Sequence, residues 1–260
     1  MRNIFVIAER DFKSFFISPI AYVVLTIFIL LSGFFFSLIL GNMVEMSTMR
    51  ALQSAQTGQL PGAVDMPGEV SRAFLGVVSS IMLFLFPMIT MALFSEEKKR
   101  GTIELLLTAP ITDLQVVLGK FVAASAFYAV LLLTTVVNIG VLYIYSSPAS
   151  APILTAYLGL LLYGFAVIAL GMFISTLTEN QIVAAVLSFA TILMFSVIDA
   201  VSRGVGESVR AVLSYLSLVG HLNDFLMGIV STSHIIFYLS LILIGLFLTY
   251  RSLDSMRWRA

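Results

Sequence analysis

The side chains that could take part in chemistry are concentrated in one stretch, residues 95–120 of a 260-residue chain. Glu96 and Glu97 come nearest to a pair of catalytic carboxylates. Successive helical residues point about 100° apart, so the two carboxylates cannot both face one reacting atom. The sequence contains no cysteine and two histidines, which excludes thiolate metal sites and leaves little for a multi-histidine site. We therefore predict no catalytic residue and no metal site in this chain.

The same stretch contains one Gly-Lys pair, Gly119-Lys120, that could suggest nucleotide binding. It is not a phosphate-binding loop, because the first glycine of that pattern is missing and Phe121 stands where Ser or Thr is required. We therefore expect no cofactor to be bound by this chain.

The composition indicates which elements must position these polar residues. Hydrophobic residues make up 60% of the chain and charged residues only 11%, and the mean hydropathy is +1.06. A soluble domain is about half apolar and a quarter charged. Lys+Arg and Asp+Glu number 14 each, so no bulk charge attracts a polyanion. These figures exclude a soluble enzyme, a disordered protein and a nucleic-acid binder, and they predict one membrane domain over residues 1–260.

Six apolar runs are long enough to cross a bilayer at about 20 residues per crossing. They are continuous rather than alternating with period 2, which favours an all-α membrane protein over a barrel. The predicted spans are residues 21–40, 74–94, 121–145, 153–177, 181–201 and 234–250.

Basic residues near the span ends predict the orientation. With the N-terminus in the cytoplasm, ten basic residues fall inside and four outside, so both termini are predicted to be cytoplasmic and the protein to lie in the inner membrane. The inside set is Arg2, Arg10, Lys13, Lys98, Lys99, Arg100, Lys120, Arg251, Arg257 and Arg259, and the outside set is Arg50, Arg72, Arg203 and Arg210.

Three segments outside the spans have their own patterns. Residues 3–16 predict an amphipathic helix on the membrane surface, ended by Ser18-Pro19; its apolar stripe is Phe5, Ala8, Phe12, Phe15 and Phe16. Residues 42–72 predict a largely mobile external loop with a short helix at 45–56. Residues 202–232 predict short re-entrant or interfacial helices, broken near Gly220 and Gly228, although an external amphipathic helix fits nearly as well.

Polar residues within the spans are few. Asp199 lies near the outer end of span five, where it could take part in transport or sit at the interface beside Arg203. Asn138 lies nearer the middle of span three, where it could line a path or hydrogen-bond to a neighbouring helix. His221 and His234 read as isolated residues rather than metal ligands.

The internal loop between spans two and three has a defined local pattern. Gly101 permits a sharp turn at a helix end, Pro110 stops a short helix over 102–108, and Thr112 with Gln115 has the spacing of a capping box. Three leucines at 105–107 lie beside charged residues. They could form a partner surface or dip into the edge of the bilayer.

The run Glu96 to Thr112, followed by Leu118-Gly119-Lys120, closely resembles the first coupling loop of type 2 ABC transporter permeases. The resemblance extends over nearly the whole chain. Three further stretches are similar to the gliding-motility and copper-maturation permease subgroup; they are residues 18–25, 175–181 and 221–225.

The resemblance implies a coupling segment that docks into a groove of a separate ATPase subunit, in two copies, which would carry the ATP and Mg²⁺. It also implies a second permease chain, identical or homologous. The residues implied in ATPase coupling are Glu96, Glu97, Arg100, Gly101, Thr102, Glu104, Leu105, Leu106, Thr108 and Pro110.

Three functions remain open at this point. The first is the permease subunit of an ATP-driven exporter. The second is a complex of the same kind that passes mechanical or regulatory work to an extracytoplasmic partner without moving cargo, which the scarcity of polar residues in the spans favours. The third is a secondary carrier without an ATPase, which would be expected to place several charged residues in mid-membrane.

Overall fold

The computed structural model describes residues 2–57, 65–103, 111–202, 206 and 212–257. Within these ranges the secondary structure is helical, without strands. The helices are α1 (Arg2–Ile17), α2 (Pro19–Thr57), α3 (Met66–Thr90), α4 (Ala92–Lys99), α5 (Asp113–Tyr145), α6 (Ser150–Leu177), α7 (Gln181–Ser202), α8 (Leu218–Leu226) and α9 (Thr232–Arg257). Six helical segments are long and apolar enough to cross a membrane, namely α2, α3 with α4, α5, α6, α7 and α9. The predicted all-α membrane fold is confirmed.

The break between α1 and α2 lies where the sequence predicts it. Pro19 is the first residue of α2, a position where its missing N–H costs nothing. The apolar stripe of α1 is correct for Ala8, Phe12, Phe15 and Phe16, which are buried or half-buried, but Phe5 is 70% exposed.

α2 does not stop at Leu40, where the predicted span ends, and residues 42–57 are not the loop that the sequence predicts. α2 continues to Thr57, and its 39 residues span about 58 Å, roughly twice the thickness of a bilayer core. Residues 41–57 contain no proline, and Ser47 and Thr48 hydroxyls donate back to carbonyls three residues earlier, so the helix has no reason to stop. The predicted loop over 42–72 is also too long at its other end, because α3 begins at Met66 with Asp65 as its N-cap.

The second span contains a break near its end. Pro87 lies within α3 and lacks the backbone N–H that the preceding turn would use. α3 ends at Thr90, Met91 joins the two helices, and α4 continues to Lys99. The charged residues of α4 therefore lie on a short segment that is distinct from the rest of the span.

The spans differ in how much of their surface the chain itself covers. More than half of the most apolar window of α3, α5 and α6 is buried inside the protein, against less than a quarter for α2, α7 and α9. Close helix contacts are made at Gly159, Gly164 and Gly171. A Cβ at Gly164 would lie 2.1 Å from the Tyr128 ring. At Gly140, by contrast, no described residue would lie within 4 Å of such a Cβ.

Two short helices lie against opposite ends of this bundle. α1 packs along the first half of α5, near α4 and the C-terminal ends of α6 and α9, and we call this the charged end. α8 packs against the beginning of α6 and of α9, and we call this the histidine end. The predicted short helix between spans five and six is thus present. Gly228 has φ +81° in the turn after α8, as predicted, but Gly220 lies inside α8 and breaks nothing.

Candidate functional site

Lys120 is the centre of the charged end. Its side chain is only 5% exposed, and its Nζ lies 2.8 Å from Oε1 of Glu97 and 3.3 Å from Oδ2 of Asp11. The ammonium also lies 5.1 Å from the centroid of the Phe94 ring, a cation–π geometry. One buried cation therefore joins α1, α4 and α5; we call Asp11, Glu97 and Lys120 the ion-pair cluster.

Local sequence places Lys120 at this junction. Thr112 and Gln115 form the predicted capping box, with the Thr112 side chain accepting from the Gln115 backbone N–H and the Gln115 side chain accepting from that of Thr112. Gly119 lies two turns of α5 after the N-cap Thr112. It lets α1 approach closely, since a Cβ there would lie 2.6 Å from Cγ2 of Ile7. Asp11 lies one turn of α1 beyond Ile7.

Fixed charges surround the cluster. Arg10 Nε lies 2.8 Å from Oδ1 of Asp11, and this hydrogen bond raises the pKa of Arg10. Oε2 of Glu97 is buried and accepts no hydrogen bond from the described residues. Burying such ions costs desolvation energy, which their attraction roughly offsets, so the cluster's main effect is to fix the relative positions of three helices.

α4 is fastened to α6 as well. Met91, at the start of α4, has no side-chain oxygen that could cap the helix. Ser175 of α6 supplies it: its Oγ accepts from the N–H groups of Phe94 and Ser95 at 3.0 and 3.1 Å, and donates to the carbonyl of Met91 at 2.9 Å. Lys98 Nζ donates to the carbonyl of Thr176 at 2.6 Å. A movement of α4 would therefore strain its contacts with α1, α5 and α6 together.

The C-terminal end of α4 has the predicted turn. Gly101 has φ +68°, which favours glycine, and its N–H donates to the carbonyl of Lys98. Arg100 pairs with Glu96 at 2.5 Å on the exposed side. Thr102 is exposed and its N–H donates to the carbonyl of Glu97.

The predicted coupling residues divide into two groups. Glu96, Glu97, Arg100, Gly101 and Thr102 lie together at the end of α4 and in the turn after it. The rest of the set lies outside the described residues; it is Glu104, Leu105, Leu106, Thr108 and Pro110.

The two polar residues predicted within the spans lie far from this site in the sequence and in the fold. Asn138 is half-buried in α5, and no hydrogen bond joins its side chain to another residue in the described part of the chain. Asp199 lies in the last turn of α7, and its side chain is outside the description. Their roles stay predictions.

A cavity of about 690 Å³ opens beside the cluster, between α1, α2, α4, α5 and the end of α3. Its lining combines buried apolar residues, among them Ala21, Val24, Ile89 and Leu93, with charged residues. The charged residues of the lining are Arg10, Asp11, Glu96, Glu97, Arg100 and Lys120. Among the described residues, no three His, Asp or Glu side chains are arranged to hold a metal ion.

Sequence reasoning missed Asp11, Lys120 and Ser175 as parts of this site. One signal was present: Lys120 and Ser175 both lie in stretches that carry the resemblance to known permeases. A second signal was the position of Lys120, a cation directly before a long apolar run.

Comparisons with known proteins agree with this architecture. Residues 5–253 match the model of a family described as "ABC-2 family transporter protein". Two curated relatives, from Escherichia coli K12 and O157:H7, are both described as "Probable multidrug ABC transporter permease YbhR". Each is 28% identical over 112 residues, which are 43% of this chain and 29% of the relative's length. The alignment therefore spans less than a third of those relatives.

Proposed function

The chain belongs to the ABC-2 family of transporter proteins, and from this premise we propose that it is the permease of an ATP-driven exporter whose coupling segment is residues 96–110. As a family member it is a multi-pass membrane permease subunit that works with an ABC ATPase. We propose that two copies of that ATPase bind the ATP and Mg²⁺, that this chain binds neither, and that the coupling segment docks into the ATPase.

The observation that carries the proposal is the fastening of both flanks of the coupling segment. On the N-terminal flank, α4 is held by Lys120 and by Ser175. On the C-terminal flank, α5 begins at a capping box, and Asp113 is paired with Arg257 of α9 at 3.2 Å. A displacement of the segment would therefore be transmitted directly to four helices besides α4, namely α1, α5, α6 and α9.

Lys120 is proposed as the positioning residue in this transmission. Its ammonium is bound to a carboxylate of α4 and to a carboxylate of α1. When α4 moves, α1 must follow or the buried charges must separate, and separation in a low-dielectric site is costly. The ion-pair cluster thus ties the coupling segment to the N-terminal helix.

The direction and the cargo are inferred from the surroundings of the spans. The lining of the 690 Å³ cavity, which combines apolar and charged residues, suits an amphipathic molecule better than a hydrophilic solute. The description of the relatives as probable multidrug permeases supports the same class of cargo. We propose export of amphipathic or lipid-linked molecules.

A second permease chain is proposed to cover α2 and α7, which leave most of their apolar surface uncovered in one copy. The ten-to-four bias of basic residues supports an inner-membrane protein with both termini in the cytoplasm. The similarity to gliding-motility and copper-maturation permeases stays a proposal on the three stretches that carry it. Apart from the scarcity of polar residues in the spans, no observation in the described part of the chain favours mechanical work on an extracytoplasmic partner.

Cysteine crosslinking in a native membrane tests the docking. The chain has no cysteine, so Thr102→Cys introduces a single thiol at the exposed end of the coupling turn. We expect a bifunctional thiol–amine reagent to join it to an ATPase subunit, identified by mass spectrometry. Asn223→Cys, exposed on α8 at the opposite end, is the matched control and should give no such product.

Co-purification in mild detergent provides the second arm. Glu104→Lys combined with Leu106→Asp should lose the ATPase from a chain that remains folded, whereas Lys120→Met should retain the ATPase but transport less cargo for each ATP hydrolysed. Capture of no ATPase by the native chain in any mild detergent would overturn the docking. Retention of full transport by Lys120→Met would overturn the role of the ion-pair cluster alone.

A further inference from the structure

The histidine end contains a connected set of titratable groups that the proposed transport mechanism does not use. Nδ1 of His221 lies 2.5 Å from Nδ1 of His234. Nε2 of His221 lies 2.8 Å from the carbonyl oxygen of Tyr215, and Nε2 of His234 lies 2.7 Å from Oδ2 of Asp224. The prediction that the two histidines are isolated is therefore wrong, because the turn at Gly228 folds α8 back against α9.

The partners fix the number of ring protons. A carbonyl oxygen only accepts, so Nε2 of His221 carries a proton, and a carboxylate only accepts, so Nε2 of His234 carries one too. The remaining contact joins two Nδ1 atoms, of which one must donate and the other accept. The arrangement is satisfied by three ring protons, one more than two neutral imidazoles hold.

The extra proton gives the pair one positive charge, which the carboxylate of Asp224 balances. His221 is 6% exposed and stacks on the Phe237 ring at 4.0 Å, and burial lowers its pKa. The His234 side chain is more exposed, at 16%, and it is the ring that contacts the carboxylate. The charge is therefore assigned to His234, with His221 neutral and accepting at Nδ1.

Few other charges face this site. α6 carries no charged residue. The first half of α3 carries Glu69 and Arg72, which pair with each other at 3.9 Å. The titratable residues in the second half of α5 are Tyr143 and Tyr145. On α9 and in the turn before α8 the neighbouring titratable groups are Tyr238 and Tyr215. α7 also packs against α8, and its one charged residue is Asp199, whose side chain lies outside the description. In the described part of the chain, Asp224 is thus the charged partner of the pair.

We propose that His221, His234 and Asp224 form a proton-binding site that fastens α8, and the turn at Tyr215, to the start of α9 while the two rings share one extra proton. Losing that proton leaves one of the three contacts without a donor: two Nδ1 lone pairs face each other, or a ring lone pair faces the Asp224 carboxylate or the Tyr215 carbonyl. Gaining a further proton places two N–H groups of two cations face to face. The contact therefore holds within a bounded range of pH and weakens on both sides of it.

Nitrogen NMR of the histidine rings tests the proton count directly. The chain has only two histidines, so ¹⁵N-histidine labelling gives four ring signals, provided that the protein is purified without a polyhistidine tag. In nanodiscs near neutral pH we expect three protonated nitrogens and one unprotonated nitrogen, with a coupling across the Nδ1–Nδ1 hydrogen bond. Two neutral rings that titrate independently would overturn the proposal, and this result needs no variant.

Variants then assign the roles. Asp224→Asn removes the counter-charge and should move the loss of the third proton to lower pH by about one unit or more. Asn223→Ala, an exposed neighbour on the same helix, should leave the titration unchanged. His221→Gln should leave His234 as the one ring that titrates. In this variant, hydrogen exchange of residues 218–226 should no longer rise when the pH is lowered. An Asp224→Asn titration identical to that of the native chain would contradict the assignment of the carboxylate.

Discussion

The two ends of the bundle fasten a short helix to the spans in similar ways but with different chemistry. At the charged end α1 packs against Gly119, and at the histidine end α8 packs against Gly159, where a Cβ would lie 2.4 Å from Phe225. At the charged end, two carboxylates form ion pairs with the ammonium of Lys120. At the histidine end, the Asp224 carboxylate binds His234, which in turn contacts His221. The charged end is therefore held by ion pairs, and the histidine end by a contact that requires one added proton.

The difference teaches what each junction can transmit. Separating the buried ion pairs of the charged end is costly, which suits a junction that transmits force from an ATPase. A contact that depends on one proton holds under some conditions and loosens under others, which suits a part of the protein that opens toward a compartment of changing pH. Four experiments would break or sharpen this contrast.

The largest expected effect comes from removing the buried cation. Lys120→Met leaves the largely buried Glu97 carboxylate without an ion-pair partner among the described residues and Asp11 with Arg10 alone, and should destabilise the protein by about 3–5 kcal/mol. Thermal and denaturant unfolding in detergent would measure it. Lys13→Met is the matched control, since Lys13 is 68% exposed and its pair with Glu9 lies in water, so its loss should change the stability little. Equal losses from the two variants would contradict the burial argument.

The next effect concerns the cap that α6 supplies to α4. Ser175→Ala leaves the N–H groups of Phe94 and Ser95 without their acceptor in a buried site, at a cost of about 1–3 kcal/mol. The same unfolding assay would measure it. Ser188→Ala is the control, because the buried Ser188 Oγ has no hydrogen-bond partner among the described residues and its loss should be neutral or stabilising. Comparable destabilisation by both changes would refute the capping role.

Adding a methyl group at the close contacts compares the two ends directly. Gly119→Ala should displace α1, and Gly159→Ala should displace α8, each by overpacking that costs about 1–3 kcal/mol. Hydrogen exchange would show which short helix loses protection in each variant. Gly140→Ala, with nothing within 4 Å, should instead stabilise its helix by about 0.5–1 kcal/mol. Loss of protection at both ends in one variant would show that the junctions are not independent.

The smallest effect is the response to pH. Burial lowers the pKa of His221 below its ordinary value, so the neutral ring contributes stability that is lost as the pH falls through that lowered pKa. On acidification toward pH 5, hydrogen exchange in α8, corrected for the intrinsic rate, should rise severalfold while α1 changes little. An equal rise at both ends would remove the contrast between them.

Much of the fold follows from local sequence. The six spans are predicted by the length of their apolar runs, and the starts and stops at Ser18-Pro19, Gly101 and Thr112 by residues whose backbone preferences act within one turn. The errors have the same origin. α2 passes Leu40 because the polar residues that follow are still compatible with a helix, and the sequence signals a loop only at the later glycines and prolines.

The sequence by itself determined that this chain is a six-span permease with one polar loop where an ATPase could dock, since length, hydropathy and a contiguous motif need no knowledge of distant contacts. Only the tertiary structure decided which polar side chains meet. Lys120 finds Asp11, Ser175 finds the start of α4, and His221 finds His234 because helices far apart in the chain pack together. The reason is physical: a hydrophobic run specifies that a helix lies in the membrane, but lipid tails are as apolar as leucine, so the run does not specify which helix packs against it.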